Sequence, residues 1–233
     1  MAHDRGHSFR RPALLKAAGM NKLLGLICVC AVALISGSRA AGAASAGASP
    51  EQILRQLLEG NQRFVNRALT HPDATPSAAA QHPLAVILSC ADSRVPPELI
   101  FDQGVGRLFV VRAAGNTYDR LGLQSIVYAI AHLGTRLVLV MGHDQCGAVA
   151  AAVKAYPKPG TGPMLENIYP AIAAVKGAPG DELANAIDMN AILTARRLAD
   201  EPELAAKVKS GEVKILPARY SLATGAVRLL PAH

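Results

Sequence analysis

The sequence predicts an α/β fold with a central, mainly parallel β-sheet flanked by helices and preceded by an extended N-terminal helix. Three short apolar runs rich in β-branched residues predict strands buried on both faces, at 84–88, 108–111 and 137–141. Between the second and third runs, apolar residues recur at helical spacing and predict a helix over 121–133. This strand–helix–strand order is typical of a parallel sheet.

The first element is a helix that begins near residue 51. Its apolar face comprises Ile53, Leu54, Leu57, Leu58 and Phe64. Gly60 and Asn61 interrupt the pattern weakly. The helix is interpreted as a packing or subunit-contact element, and residues 67–83, with three X-Pro pairs, as a loop.

Three helices and two strands are predicted after the third strand and complete the domain. A helix is predicted at 148–154, then a Pro/Gly loop at 156–162. Two more helices are predicted at 183–199 and 201–209. The chain is expected to close with strands at 212–217 and 226–230.

Length and charge distribution narrow the class of protein. The chain has 233 residues, of which 51% are hydrophobic, which suits one globular domain. The net charge is +7, but six basic residues against Asp4 alone in 1–46 account for five of these charges. The remainder is nearly neutral, so nothing favours a nucleic-acid partner.

The N-terminal segment predicts export. An unbroken apolar run, Leu23 to Ile35, follows positive charge and precedes small residues that fit signal cleavage. We expect residues 1–46 to be a cleavable signal and spacer, residues 47–233 to be the catalytic domain, and the mature protein to be periplasmic or secreted with no membrane contact. A retained membrane anchor is the alternative, although the run is short for a span.

Two export routes fit the sequence equally well. Arg10-Arg11 followed by Leu14-Leu15 resembles a twin-arginine signal. Alternatively, Met20 is the true start, and the following residues form a compact general secretory signal.

The two cysteines outside the signal each lie at the end of a predicted strand. The first strand leads into Cys90-Ala91-Asp92-Ser93-Arg94 and the third into Gly142-His143-Asp144-Gln145-Cys146-Gly147. Side chains at these strand ends meet if the strands are neighbours. Two thiolates and an imidazole suit zinc and leave a fourth position open, as catalysis requires. A Cys90–Cys146 disulfide is the alternative in an exported protein.

These two segments resemble the signature motifs of the β-class carbonic anhydrase family. Weaker similarity extends over 58–64, 111–116 and 222–227, although Ala113 stands where the family usually has Asn. The resemblance covers roughly 51–230, the whole expected mature domain. It implies a carbonic anhydrase that converts carbon dioxide and bicarbonate into one another through zinc-bound hydroxide.

The resemblance also implies roles for individual residues. Cys90, His143 and Cys146 would bind one zinc ion per subunit, and Asp92 with Arg94 would form a catalytic pair. In the family's closed form, Asp92 itself becomes the fourth metal ligand. Gln81, nine residues before Cys90, would contact substrate, although a solvated loop residue is an equally good interpretation. A homodimer or a dimer of dimers is expected.

Three other functions are alternatives to this one. A phosphatase-type loop needs arginine six residues after the cysteine, where this chain has Pro96. A zinc hydrolase of carbonyl sulfide or carbon disulfide would use the same scaffold. A non-catalytic zinc-binding or redox protein would not need Asp92 and Arg94, unless these two form only a surface ion pair.

Overall fold

The computed structural model describes residues 47–70 and 80–232. The predicted signal at 1–46 lies outside these residues, as does most of the loop expected at 67–83. Among the described residues, no helix has the length and apolar character needed to cross a membrane.

In the described part of the chain, five strands form one sheet in the spatial order β2-β1-β3-β4-β5. Strand β1 pairs in parallel with β2 on one side and with β3 on the other, and β3 pairs in parallel with β4. Strand β5 runs antiparallel to β4. The mainly parallel sheet is therefore confirmed. The strand bounds are β1 Ala85–Ser89, β2 Leu108–Arg112, β3 Leu137–His143, β4 Lys214–Tyr220 and β5 Val227–Leu229.

The predicted helices are present, and three short ones join them. The helix bounds are α1 Pro50–Val65, α2 Pro97–Ile100, α3 Arg120–His132, α4 Gly147–Ala155, α5 Pro163–Glu166, α6 Tyr169–Val175, α7 Glu182–Ala199 and α8 Pro202–Lys209. A 3-10 turn, Ala114–Asn116, follows β2. Helices α2, α5 and α6 were not predicted, because helices of four to seven residues have too few positions to show a periodicity.

Alternate residues of the central strands build two separate cores. Val86, Leu88 and the same-facing residues of β3 pack with α3, α7 and α8. Ile87, Leu139 and their neighbours pack on the opposite face with α1 and α2. Because successive residues of a strand face opposite cores, every position is buried, and the central strands are continuous apolar runs in the sequence.

Helix α1 continues through Gly60 and Asn61, where the sequence pattern weakens, because both residues serve close packing. A Cβ at Gly60 would lie 1.9 Å from the carbonyl oxygen of Phe101. The Asn61 amide donates to the carbonyls of Ile100 and Gly225, at 3.1 and 2.8 Å. Its oxygen accepts the amide of Val227 at 2.8 Å. The apparent break is therefore the site where α1 binds α2 and the closing hairpin.

Candidate metal centre

The structure brings the two signature segments together at the carboxyl edge of the sheet. Strands β1 and β3 are direct neighbours, with Ser89 opposite Met141. Cys90 follows β1 immediately, His143 ends β3, and Cys146 is the N-cap residue of α4. The adjacency expected from the sequence is confirmed, because β1 lies between β2 and β3 in the sheet.

Cys90, His143 and Cys146 form a compact, buried cluster. Their potential ligand atoms all lie within 4.8 Å of one another. The two sulfur atoms are 4.0 Å apart, and both cysteines are free. Tetrahedral zinc with bonds of about 2.3 Å to sulfur would separate two thiolates by about 3.8 Å. The spacing therefore fits two metal ligands rather than a disulfide.

His143 is oriented so that one ring nitrogen faces the cluster. Its Nδ1 lies 2.9 Å from the carbonyl oxygen of Asp144, which fixes Nδ1 as the donor. Its Nε2 is buried and has no hydrogen-bond partner. An unpartnered buried nitrogen is costly unless a ligand satisfies it. The site therefore fits a metal ion, and this donor set suits zinc.

The hydrogen bond between the two thiols moves their pKa values in opposite directions. The hydrogen bond with Cys146 lowers the pKa of Cys90, which His143 lowers further, while burial opposes both. The same hydrogen bond, together with burial, raises the pKa of Cys146. A divalent cation would favour ionisation of both, because metal ligands bind as thiolates.

Asp92 and Arg94 form an ion pair beside this cluster. The Arg94 side chain donates from Nε to Asp92 Oδ1 at 2.9 Å and from Nη2 to Oδ2 at 2.7 Å. Its backbone amide also donates to Oδ1, at 2.9 Å. The Arg94 guanidinium holds the pKa of Asp92 well below its usual range. Asp92 Oδ2 lies 3.9 Å from His143 Nε2, so an ionised acceptor faces the metal side of the histidine.

Arg112 holds the backbone of the segment that carries Cys90 and Asp92. Its Nε donates to the carbonyl of Cys90 at 3.0 Å, and its Nη2 donates to the carbonyl of Asp92 at 2.6 Å. Beyond the end of the β1–β2 ladder, Ala91 and Ala113 add one more backbone bond. The sequence shows only that segment 111–116 resembles a family motif, and it gives no sign that Arg112 binds these two carbonyls.

A second ion-pair network holds Asp144, the residue that follows His143. Arg219 in β4 donates from Nε to Asp144 Oδ1 at 2.7 Å and from Nη1 to Asp188 Oδ1 at 3.1 Å. Burial disfavours the charge of Asp144, but Arg219, Ser221 and the backbone of Leu222 together outweigh burial and lower the pKa of Asp144. The network fixes Asp144, whose carbonyl sets the ring of His143. The sequence motif contains Asp144 but does not reveal Arg219.

Gln81 lies apart from the cluster within one chain. It is exposed and precedes β1, whereas Cys90 follows that strand. Five strand residues span roughly 17 Å. A substrate contact by Gln81 would therefore need the site of another copy of the chain, and its role stays a prediction.

One cavity among the described residues lies apart from the three candidate ligands. It measures about 470 Å³ and lies beside the end of β2, where Arg112, Tyr118 and Met164 are among its lining residues. None of the three candidate ligands lines it. We assign the chemistry to the cluster because the ligand atoms converge there.

Comparison with known proteins agrees with the geometry. The sequence model described as carbonic anhydrase matches residues 85–227. Carbonic anhydrase 2 of Mycobacterium tuberculosis strain H37Rv is 37% identical over 193 residues, covering 76% of this chain and 91% of that protein. The carbonic anhydrase of Mycolicibacterium smegmatis is 36% identical over 196 residues, covering 78% and 93%.

Solved structures show the same fold at lower sequence identity. The β-carbonic anhydrase CcaA superposes with a TM-score of 0.59 at 23% identity, over 76% of this chain and 95% of that one. A tetrameric β-carbonic anhydrase from Sordaria macrospora gives a TM-score of 0.56 at 21% identity, over 66% and 83%.

Proposed function

The chain belongs to the β-class carbonic anhydrase family, and we propose that it catalyses the reversible hydration of carbon dioxide to bicarbonate and a proton with one zinc ion per subunit. The observation that carries the proposal is the convergence of Cys90, His143 and Cys146 beside an ionised Asp92. Three protein ligands leave one position open to solvent, which a structural zinc site does not need.

Cys90 and Cys146 would supply two thiolates, and His143 would supply its unpartnered Nε2. Zinc bound there would polarise water and lower its pKa, a chemistry for which carbonic anhydrases are the standard example. The buried surroundings of the three side chains strengthen the interaction between the thiolates and a cation.

Asp92 would orient the attacking solvent molecule. Arg94 keeps its carboxylate ionised and aimed toward the cluster, so the carboxylate can accept a hydrogen bond from that molecule. The solvent lone pair then points at the carbon of carbon dioxide. The new carbon–oxygen bond yields bicarbonate, and the released proton passes to solvent.

Stopped-flow measurement of carbon dioxide hydration by zinc-quantified protein tests the proposal. We expect the wild type to hold one zinc per subunit and to accelerate hydration. Cys146→Ser should lose most of the metal and most of the activity, because one ligand is missing. Lys207→Ala, which removes a member of an exposed ion pair on α8, is the control and should retain both.

Two results would contradict the proposal. A zinc-loaded wild type that does not accelerate hydration would overturn the reaction. If the same preparation hydrolyses carbonyl sulfide instead, the protein is the zinc hydrolase that the Sequence analysis gives as an alternative. Metal-free protein with a Cys90–Cys146 disulfide would overturn the metal site itself.

A further inference from the structure

The sulfur of Cys90 receives a backbone hydrogen bond from outside its own segment. The amide of Gly115, in the 3-10 turn after β2, donates to Cys90 Sγ at 3.3 Å. A hydrogen bond to a thiolate draws charge from the sulfur, so the sulfur donates less charge to a bound metal. The strength of this bond therefore affects how strongly the metal polarises its open position.

The amide can reach the sulfur only in an unusual backbone conformation. Gly115 has a φ of 72° and a ψ of 23°, in the left-handed region that favours glycine. A Cβ at this position would lie 2.8 Å from Ile168 Cδ1 and 3.3 Å from Ala148 Cβ. Both the conformation and the close contacts require glycine. Because the backbone of a glycine is flexible, other contacts must hold the turn in this conformation.

Asn190 of α7 supplies such a contact from the helical layer. Its side chain is 1% exposed, and its Nδ2 donates to the carbonyl of Gly115 at 2.7 Å. Its helix neighbours on the buried face include Ala186 and Ala191. A buried amide among apolar residues is costly unless it is bonded, so this hydrogen bond gives Asn190 a specific task.

The other bonds of the turn leave the Gly115 carbonyl to Asn190. Ala113 donates its amide to Ser89 at 3.1 Å, and its carbonyl accepts the amide of Asn116 at 3.0 Å. Thr117 Oγ1 donates to the carbonyl of Ala114 at 3.2 Å. Without Asn190, the Gly115 carbonyl would lose this donor, and the turn would rotate to find another.

We propose that Asn190 is a positioning residue that locks the 114–116 turn, so that the Gly115 amide donates to the Cys90 sulfur and keeps a bound metal a stronger Lewis acid. The inference rests on metal binding by the cluster in the proposed function. It adds a residue of α7 that contacts none of the three ligands through any hydrogen bond described here.

Cobalt substitution tests this role apart from turnover. Asn190→Leu keeps a similar side-chain shape but removes the donor. With one Co²⁺ per subunit, we expect its thiolate-to-cobalt charge-transfer band to move to longer wavelength, because the less hydrogen-bonded sulfur gives up charge more easily. The zinc form should lose roughly tenfold in kcat, the range found for residues that orient metal ligands.

Thr194→Val is the matched control. Thr194 is 3% exposed and lies one turn further along the same face of α7, and no hydrogen bond joins it to Gly115. We expect this variant to leave the band and kcat unchanged, whatever it does to the melting temperature. If Asn190→Leu leaves the band unchanged in fully loaded protein, or if Thr194→Val shifts it equally, the inference is wrong.

A second variant and a second measurement cover a failure of Asn190→Leu to fold. Asn190→Ala removes the same donor with a smaller residue. In ¹¹³Cd-loaded wild type, the Gly115 amide proton should show scalar coupling to cadmium through the Cys90 sulfur, and Asn190→Ala should reduce it. An absent coupling in the wild type, or an unchanged one in the variant, would overturn the inference. Cadmium binding needs no hydration activity, so this result stands apart from the fate of the proposed reaction.

Discussion

Asp92 combines an ionised carboxylate with a position 3.9 Å from the metal-facing nitrogen of His143. Arg94 binds it through two side-chain donors, although more than half of the Arg94 side chain is exposed. An exposed ion pair contributes little to stability, so the geometry is better explained by a task at the cluster. The carboxylate is therefore placed to accept a hydrogen bond beside the three candidate ligands.

We predict that Asp92→Asn keeps its zinc and lowers kcat about 100-fold, a typical effect for a lost acid–base group. The amide presents a donor where the solvent molecule needs an acceptor. Arg94→Ala should act in the same direction by releasing the carboxylate. Stopped-flow kinetics with parallel zinc analysis measures both effects.

Lys207→Ala is the control, since Lys207 and Glu212 form an ion pair that is exposed and remote in sequence from the cluster. It should leave kcat unchanged. Near-normal kcat in both Asp92→Asn and Arg94→Ala would mean that Asp92 and Arg94 form only a surface ion pair.

Helix α1 is held to the sheet by burial and by a cap. Ile53 and Leu57 are 3% and 0% exposed and belong to the core on the α1 side of the sheet. Ser49 and Gln52 form a reciprocal capping box at its start. The apolar face of α1 is used within the chain, so its pattern needs no partner subunit to explain it.

Leu57→Ala should therefore lower the free energy of unfolding by about 2–5 kcal/mol, because it opens a cavity in a fully buried contact. Arg55→Ala, on the exposed side of the same helix, should change it by no more than about 0.5 kcal/mol. Urea unfolding of both variants checks this. Equal, small effects would mean that α1 is not part of the core.

The first turn of α1 also carries a pH-dependent contact with β4. The hydrogen bond with Lys214 lowers the pKa of Glu51 from 4.5 to about 2, with help from the backbone of the first turn. Because the folded-state pKa is the lower one, the pair stabilises the protein above about pH 4.5. This contribution is lost as the pH falls towards 2.

The difference in unfolding free energy between wild type and Glu51→Gln should thus be largest near neutral pH and shrink between pH 4.5 and 3. It should be small throughout and smaller still in 1 M salt, because the pair is exposed. Urea titrations across this pH range measure the difference. A difference that grows on acidification would contradict the prediction.

For the whole molecule, one edge of the sheet offers a surface for a second copy. Strand β2 ends the sheet order, and among the described residues its pairing partner is β1. Leu121 and Tyr128 of the adjacent α3 are 72% and 47% exposed. Edge strands flanked by exposed apolar side chains are typical of protein interfaces.

We predict a homodimer or a dimer of dimers that forms through this edge. Light scattering at micromolar concentration should show it, and Tyr128→Lys should weaken the association at least tenfold by placing a charge in the contact. Leu99→Lys replaces an exposed leucine of α2 and should leave the assembly intact. An active wild-type monomer at this concentration would contradict the prediction.

Export remains a prediction. Its route would decide whether Cys90 and Cys146 bind zinc before or after transport. We expect a mature N-terminus between about Ala41 and Ser49, which fractionation and N-terminal sequencing would reveal. Lys-Lys in place of Arg10-Arg11 should abolish export if the route is twin-arginine and leave it intact if the route is secretory. An uncleaved cytoplasmic protein would contradict export altogether.

The sequence alone was enough to predict the strands, the longer helices and the three candidate ligands. Buried parallel strands leave runs of β-branched residues, and Cys90, His143 and Cys146 stand directly at the ends of two such runs. These features are local, so they are visible in a linear reading. The Asp92–Arg94 pair is equally local, because its members are two residues apart.

Only the tertiary structure decided how the ligands are supported. Asn190 reaches Gly115 across 75 positions, and Arg219 reaches Asp144 across the same separation. Each is a single hydrogen-bonding contact between elements brought together by packing, so it leaves no periodicity in the sequence. The same reason applies to Gly60 and Asn61, which look like a helix break until the carbonyls of α2 lie against them. Local pattern thus specifies which residues stand at the site, and the packing of helices on the sheet specifies what holds them there.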